Sequence, residues 1–478
     1  MAKFQNTEKF AADSYLHEGS TIRLMEAKKY QEFLSRQKRQ VLNNCGTINP
    51  EDLDAYKNNG GFKGLQTAVK EMTPEKVVEQ VQRAEMRDRT VLAGSTGKAW
   101  EAYRGVRSLP HYIVATRMAG SSEAWAERTL LEGNPFALIE GMAITAYALG
   151  GVAKGIIYIP RAYKPLAFRR MTRAVAAARD QHLLGQNILG TAFQFDLEIR
   201  ETVSEDALQK EHNPFICGEC ARALFDPEQS GEYENFKDAG TWPQLFYAAN
   251  VETYMTLPLI LQKGSAWFSS LGMKSGAGTK IFSLTGKTNH PCLVEAPVGV
   301  TIVELLKMAD GEGSGVQSGL KAFQLGGAGG GIFPKDFRDQ PLIFDSDETG
   351  WRIGSGQILI MDEQVCVVEM IRYSMQQLAA ECCDGCDPCK RAMKNISSVL
   401  DRLVKGFGET GDLEALGTMA EHIKSQARCE FGKTAVNSVL TGLRFFRGEF
   451  EDHLKQRCPA NFCKDLLKGT ERNLKIAA

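Results

Sequence analysis

Cys383, Cys386 and Cys389 form a C-x2-C-x2-C run in the segment ECCDGCDPCKR, directly after a stretch with helical spacing. Three thiols so spaced can converge from one loop on a single metal centre, and this is the run used to hold iron–sulfur clusters. Zinc sites more often use two separated C-x2-C pairs; zinc and plain packing of the thiols are the alternatives. A fourth ligand is needed. Cys429, in QARCEFGKT between the last two long helical patterns, is the best placed, because a helical bundle gathers its loops at its ends. Cys382 competes with Cys383 for register, but only Cys383 keeps the two-residue gaps. The chemistry such a centre supports is one-electron transfer.

The remaining thiols and imidazoles carry weaker patterns. Of the 12 cysteines, Cys45, Cys217, Cys292 and Cys366 read as inert buried thiols. Cys458 and Cys463 make a C-x4-C pair, weak on its own and read as structural. None of the seven histidines lies at ligand spacing to another or in a nucleophile pattern. Helical carboxylates such as Glu123 and Glu127 read as a solvated face. The glycine clusters GEGSGVQSG and GGAGGGIF do not fit G-x-G-x-x-G and read as β-turns.

These residues need elements to position them. Residues 1–85 read as a polar, mostly helical arm, with RLMEAKKYQEFLSRQKRQVL at helical spacing. From 86 to 270, IEGMAITAYAL and LAFRRMTRAVAAARDQ read as helices and GIIYIPR and FQFDLEI as strands, the alternation of βαβ units and a parallel sheet. Between 271 and 345 short β-rich runs (TKIFSLTG, PCLVEAPVG, GLKAFQLGG) are broken by glycine turns around one short helix, TIVELLKMAD, a β-grasp-like module. From 346 to 478 the strand QILIMD precedes four long helical patterns, the last of them AVNSVLTGLRFFRGEFEDHL, which read as a four-helix bundle carrying the cysteines. The fold class is therefore α/β, with a parallel-sheet βαβ domain, a small β-grasp-like domain and a C-terminal four-helix bundle.

Composition bounds the setting. The 478 residues, 57 Lys+Arg against 58 Asp+Glu, describe an ordinary globular chain without the charge that draws proteins to nucleic acid or anionic lipid. The polar N-terminus lacks the apolar core of a signal peptide, so a cytoplasmic, reducing location is expected. The most apolar stretch, Gly141 to Ala153, is bracketed by Glu140 and Lys154 and is too short to span a membrane, so no direct membrane insertion is expected.

ECCDGCDPCKR followed by RCEFG resembles the ESCGxCxPCR and C-x-x-G segments of the NADH-binding flavoprotein subunit of respiratory complex I, with soluble relatives in NAD-linked hydrogenases, formate dehydrogenases and electron-bifurcating complexes. Similar segments run through nearly the whole chain, among them NPFALIEGMAITAYALG, NILGTAFQFD, FICGE, NVET and GSGQILIMDE. The resemblance implies that the βαβ domain is Rossmann-like, and it implies a 4Fe-4S cluster on Cys383, Cys386, Cys389 and Cys429. It also implies partner subunits: a thioredoxin-like 2Fe-2S protein and a multi-cluster iron–sulfur protein.

The same resemblance implies an FMN and NADH site, and there the chain departs from the family. The family's glycine-rich loop GRGGAGFPTGxKW corresponds to DRTVLAGSTGKAW, Asp88 to Trp100. Thr90, Val91 and Ala93 stand at glycine positions, and Ala99 stands where the family has a lysine near the flavin phosphate. The second loop, NADEGEPGTFKDR, corresponds to TRMAGSSEAWAER, where Thr116 replaces the asparagine and Met118, Ala119 and Ser121 replace acidic groups. CGEET has become CGECA, so Glu219 persists and Cys220 replaces the second glutamate. Of the phosphate-contacting NNxxT, Asn250 and Thr253 remain. Lys98, Glu219, Asn250 and Thr253 are thus the residual pocket, and they read as serving turns and strand ends. FMN is expected to be absent, with no catalytic residue on this chain. The expected function is electron relay within a multi-subunit anaerobic oxidoreductase. The alternative is a working FMN-containing subunit that oxidises NADH or reduces NAD.

Overall fold

The computed structural model describes residues 27–89, 93–105, 112–115, 125–160, 163, 165–202, 246–273, 276–311, 319–346, 350–382, 388–427, 430–463 and 466. Two sheets and a helical C-terminal region organise them. The first sheet comprises β1 (Tyr112–Ala115), β2 (Lys154–Pro160), β3 (Asp196–Thr202) and β4 (Phe246–Ala249) in the order β3-β2-β1-β4. All three pairings are parallel. The chain order reverses at β1, which has β2 on one side and β4 on the other. In open α/β sheets that switch point is where ligands bind, outside the carboxyl ends of the strands.

Helices cover this sheet. Those used below are α1 (Lys63–Glu71), α2 (Pro74–Arg83), α3 (Thr96–Gly105), α4 (Pro135–Ala148), α5 (Ala167–Asp180) and α6 (Val251–Lys263). Helix α4 is apolar on every side, and all but one of its residues are buried, because it packs against α1, α6 and the sheet at once. A proline at N1 starts it, where a missing N–H removes no helical bond. Helix α2 also begins at a proline, capped by Thr73, and places Val77, Val78 and Val81 on one buried face.

Two buried carboxylates tie the N-terminal helices to the body. Glu140 of α4 accepts from Tyr56 Oη (2.7 Å), Phe62 N (2.7 Å) and Leu65 N (3.0 Å). Glu295 accepts from the backbone N–H groups of Gln40, Val41 and Leu42 at 2.8–3.0 Å and from the Thr279 hydroxyl. Each carboxylate replaces lost hydration with directed donors, the condition under which a charge can be buried.

The second sheet is mixed. It contains β5 (Thr279–Gly286), β6 (Cys292–Pro297), β7 (Ala322–Leu325), β8 (Gly331–Pro334) and β9 (Gln357–Met361), ordered β8-β7-β9-β5-β6. Only β9 and β5 run parallel. Helix α7 (Ile302–Asp310), closed at its start by a Thr301–Glu304 capping box, packs on β6.

The C-terminal region holds α8 (Val367–Glu381), α9 (Met393–Lys405), α10 (Asp412–Gln426), α11 (Glu430–Ala435), α12 (Asn437–Phe445) and α13 (Arg447–Leu454). The last long helical pattern of the sequence is therefore two helices, broken at Phe446 (φ −127°, ψ 23°). Packing explains the break. Phe445 lies against the rings of Phe333 and Phe337 beside the mixed sheet, whereas Phe450 is fully buried in the core shared by α8 to α10. One straight helix cannot bury both.

Candidate functional site

The carboxyl ends of β1 and β4 locate the first candidate site. Asn250 follows β4 directly and caps α6: its Oδ1 accepts from Thr253 N at 2.8 Å, and its Nδ2 donates to the Arg89 carbonyl at 2.9 Å. The Thr253 hydroxyl accepts from Arg89 N at 2.9 Å and donates to Asp88 Oδ1 at 3.1 Å. Asp88, Arg89, Asn250 and Thr253 are all buried. Asn250 and Thr253 are thus brought together, each engaged with the Asp88–Arg89 backbone or side chains.

Charge at this end of the sheet is matched internally. Arg89 is fully buried, donates to the carbonyls of Arg87 (2.7 Å) and Ala277 (3.3 Å), and lies over the rings of Phe268 and Phe344. Burial lowers its affinity for a proton, and Glu252, Asp88 and Glu295 oppose that loss. Lys280 of β5 is equally buried and is paired with Glu252 of α6. Burial pulls the Lys280 ammonium below its ordinary range, with Glu252 holding it up. Glu252 also accepts from Ile281 N at 2.9 Å, so one carboxylate joins the two sheets.

The glycine-poor loop is partly described. Ala93 has a left-handed φ of 46° and is 1% exposed, so its methyl group fills space at a backbone position that glycine suits best. Gly97 lacks a side chain for a different reason: a Cβ there would run into Gln82 of α2, so it serves the crossing of α2 and α3. Lys98 is exposed on α3. Thr90, Val91, Thr116, Met118, Ala119, Ser121, Glu219 and Cys220 lie outside the described residues.

Of the expected cluster ligands, Cys389 is described. It is 3% exposed, in a π-helical turn (Pro388–Ala392) that leads into α9 and packs against α10. Cys383, Cys386 and Cys429 lie outside the described residues; in sequence the first two fall between α8 and this turn, and Cys429 falls between α10 and α11. The turn that carries Cys389 packs on the helix that ends just before Cys429 in the sequence.

A third grouping was not anticipated from sequence. Cys366, His453, Cys458 and Cys463 are all buried, and their ligand atoms lie within 4.8 Å of one another. Cys366 caps α8, His453 closes α13, and the two other cysteines sit in the segment that follows. Cys366 is therefore no isolated thiol, and the Cys458/Cys463 pair lies with it and His453 in one buried group. The signal lay in H-x4-C-x4-C, His453 to Cys463, which a search for His–His or Cys–Cys spacing alone passes over.

Comparison with known proteins agrees with this architecture. The family model for the NADH-ubiquinone oxidoreductase-F iron-sulfur binding region matches residues 369–453. The NADP-reducing hydrogenase subunit HndC of Solidesulfovibrio fructosivorans is 34% identical over 442 residues, 91% of this chain and 87% of that protein. The chain belongs to the NADH-quinone oxidoreductase-F family. The NADH-quinone oxidoreductase-F protein of Escherichia coli strain K12 is 30% identical over 417 residues, covering 85% of this chain and 91% of its own length. Among solved structures, an NAD+-reducing [NiFe]-hydrogenase in the H2-reduced state superposes with a TM-score of 0.67 at 21% identity, over 92% of this chain and 71% of that one. As an oxidoreductase-complex subunit of this family, the chain carries a 4Fe-4S binding region. No helix among the described residues is long and apolar enough to cross a membrane.

Proposed function

We propose that this chain is an iron–sulfur electron-transfer subunit of a multi-subunit oxidoreductase, with one 4Fe-4S cluster on Cys383, Cys386, Cys389 and Cys429, and that its own FMN and NADH site has been given up. The observation that carries the second half is the Thr253 hydroxyl. The family resemblance makes it a phosphate contact, yet here it donates to the buried carboxylate of Asp88 at 3.1 Å. A buried carboxylate within hydrogen-bond reach of that hydroxyl repels a phosphate and already uses its donor. The buried cations nearby already face carboxylates: Lys280 is paired with Glu252, and Arg89 lies in the field of Glu252, Asp88 and Glu295. The Ala93 methyl group adds bulk where the family loop has none.

In the cluster region the chain's task is to supply four thiolates and keep water out. The bound cluster supplies one-electron transfer, tuned by hydrogen bonds to sulfur and by solvent exposure. Burial of Cys389 among α9 and α10 suits that task. The implied partners are a thioredoxin-like 2Fe-2S subunit and a multi-cluster iron–sulfur subunit, and the place of action is the cytoplasm. We divide the chain at residues 85, 270 and 345, giving the N-terminal arm, the Rossmann-like unit, the β-grasp-like unit and the cluster-bearing bundle.

The second reading, a flavin-containing NADH-oxidising subunit, draws support from relatives whose names denote NADH-quinone oxidoreductases and an NADP-reducing hydrogenase. Flavin analysis separates the two. Acid extracts of the purified complex are expected to contain no FMN attributable to this chain. One FMN per copy, bleached by NADH, contradicts the proposal.

A further inference from the structure

We propose that Cys366, His453, Cys458 and Cys463 bind one zinc ion in a closed, tetrahedral Cys3His site. The site is separate from the iron–sulfur centre and clasps the start of α8 to the end of the helical region.

The distances fit one ion. Cys366 Sγ lies 3.7 Å from Cys463 Sγ, and His453 Nε2 lies 3.3 Å from Cys366 Sγ and 3.5 Å from Cys463 Sγ. A tetrahedron with Zn–S of about 2.3 Å and Zn–N of about 2.0 Å has S···S edges of about 3.8 Å and S···N edges of about 3.5 Å. A cubane cluster instead spreads its ligands over four irons and needs a wider cage than four atoms within 4.8 Å of one another. The imidazole is already oriented for coordination. His453 Nδ1 lies 2.7 Å from the Glu449 carbonyl, so a proton on Nδ1 donates there and leaves the Nε2 lone pair facing the sulfurs. A ligating histidine characteristically anchors its second nitrogen in this way. Backbone N–H groups of Cys463 and Phe462 point at the Cys458 sulfur, the turn by which closely spaced cysteines share an ion.

Three thiols cannot all be paired as disulfides, and three sulfurs gathered with one imidazole nitrogen are a donor set that zinc takes in structural sites. Four protein ligands leave no open position, which marks a structural site and not a catalytic one. Three of the four ligands lie outside the family's iron–sulfur region and the fourth is at its edge. That region spans 369–453, so Cys366 precedes it, Cys458 and Cys463 follow it, and His453 is its last residue. The ligands span 97 residues, from the loop after β9 to the segment after α13, so one ion closes the region around the cluster loop.

The test is metal analysis of the complex, purified anaerobically, by mass spectrometry and zinc K-edge X-ray absorption. The expected result is one zinc per chain with three sulfurs at about 2.3 Å and one nitrogen at about 2.0 Å. Cys458→Ser should lose that zinc and keep the iron and its electron paramagnetic signal, whereas Cys386→Ser should lose iron and keep zinc. Zinc-free native protein, a mononuclear iron in this ligand set, or joint loss of both metals in either variant overturns the proposal. Should the variants fail to accumulate, the absorption spectrum of the native complex decides alone. This outcome is independent of the flavin assay, so either proposal can fail without the other.

Discussion

Thr253, Asn250, Asp88 and Arg89 are joined by buried hydrogen bonds, and removing one member has a measurable cost. Thr253→Val keeps the side chain's shape but removes the acceptor of the buried Arg89 N–H. Stranding that buried donor costs about 1–3 kcal/mol, so the thermal midpoint of the variant should fall while its iron content stays at the native level. A midpoint unchanged from wild type would mean the hydroxyl has no structural task. The retained identity of Asn250 and Thr253 was plain in the sequence, but their use was not, because it depends on Asp88, which lies 165 positions from Thr253.

At the scale of elements, the joint between the two sheets rests on the Lys280–Glu252 pair. Lys280→Met leaves the Glu252 charge buried with one backbone donor, and loss of a single member of such a pair costs about 3–5 kcal/mol. The double variant Lys280→Met, Glu252→Gln should recover part of that loss in thermal unfolding. An equal loss in both would deny that the charge imbalance is the cause. Helix α12 offers a second case: a Cβ at Gly442 would collide with the end of the buried Ile371 side chain of α8, so Gly442→Ala should force that side chain to repack and lower the melting temperature. Element types were legible in the sequence wherever periodicity was unambiguous, as in α4, α5, β2 and the long C-terminal helices. The break at Phe446 was not, because RFFRGEF continues the helical pattern and only the competition between two cores divides it. The Cys366–His453–Cys463 grouping was hidden for a related reason: it depends on α13 turning back toward the start of α8.

On the proposed reading, the molecule as a whole is a family fold whose nucleotide crevice is closed by its own charges and whose C-terminal region retains the cluster cysteines. Cys386→Ala should abolish the cluster's electron paramagnetic signal and loosen the C-terminal helices, since metal binding there is coupled to folding. A full native spectrum in that variant would show the ligands to be misassigned. The central claim, a relay without its own flavin, is tested most directly by measuring iron, acid-labile sulfide and acid-released flavin on the same anaerobic preparation. The expected result is a reducible 4Fe-4S cluster on this chain, no FMN bound to it, and no bleaching by NADH of any flavin assigned to it. Stoichiometric FMN on this chain, reduced by NADH, would contradict it.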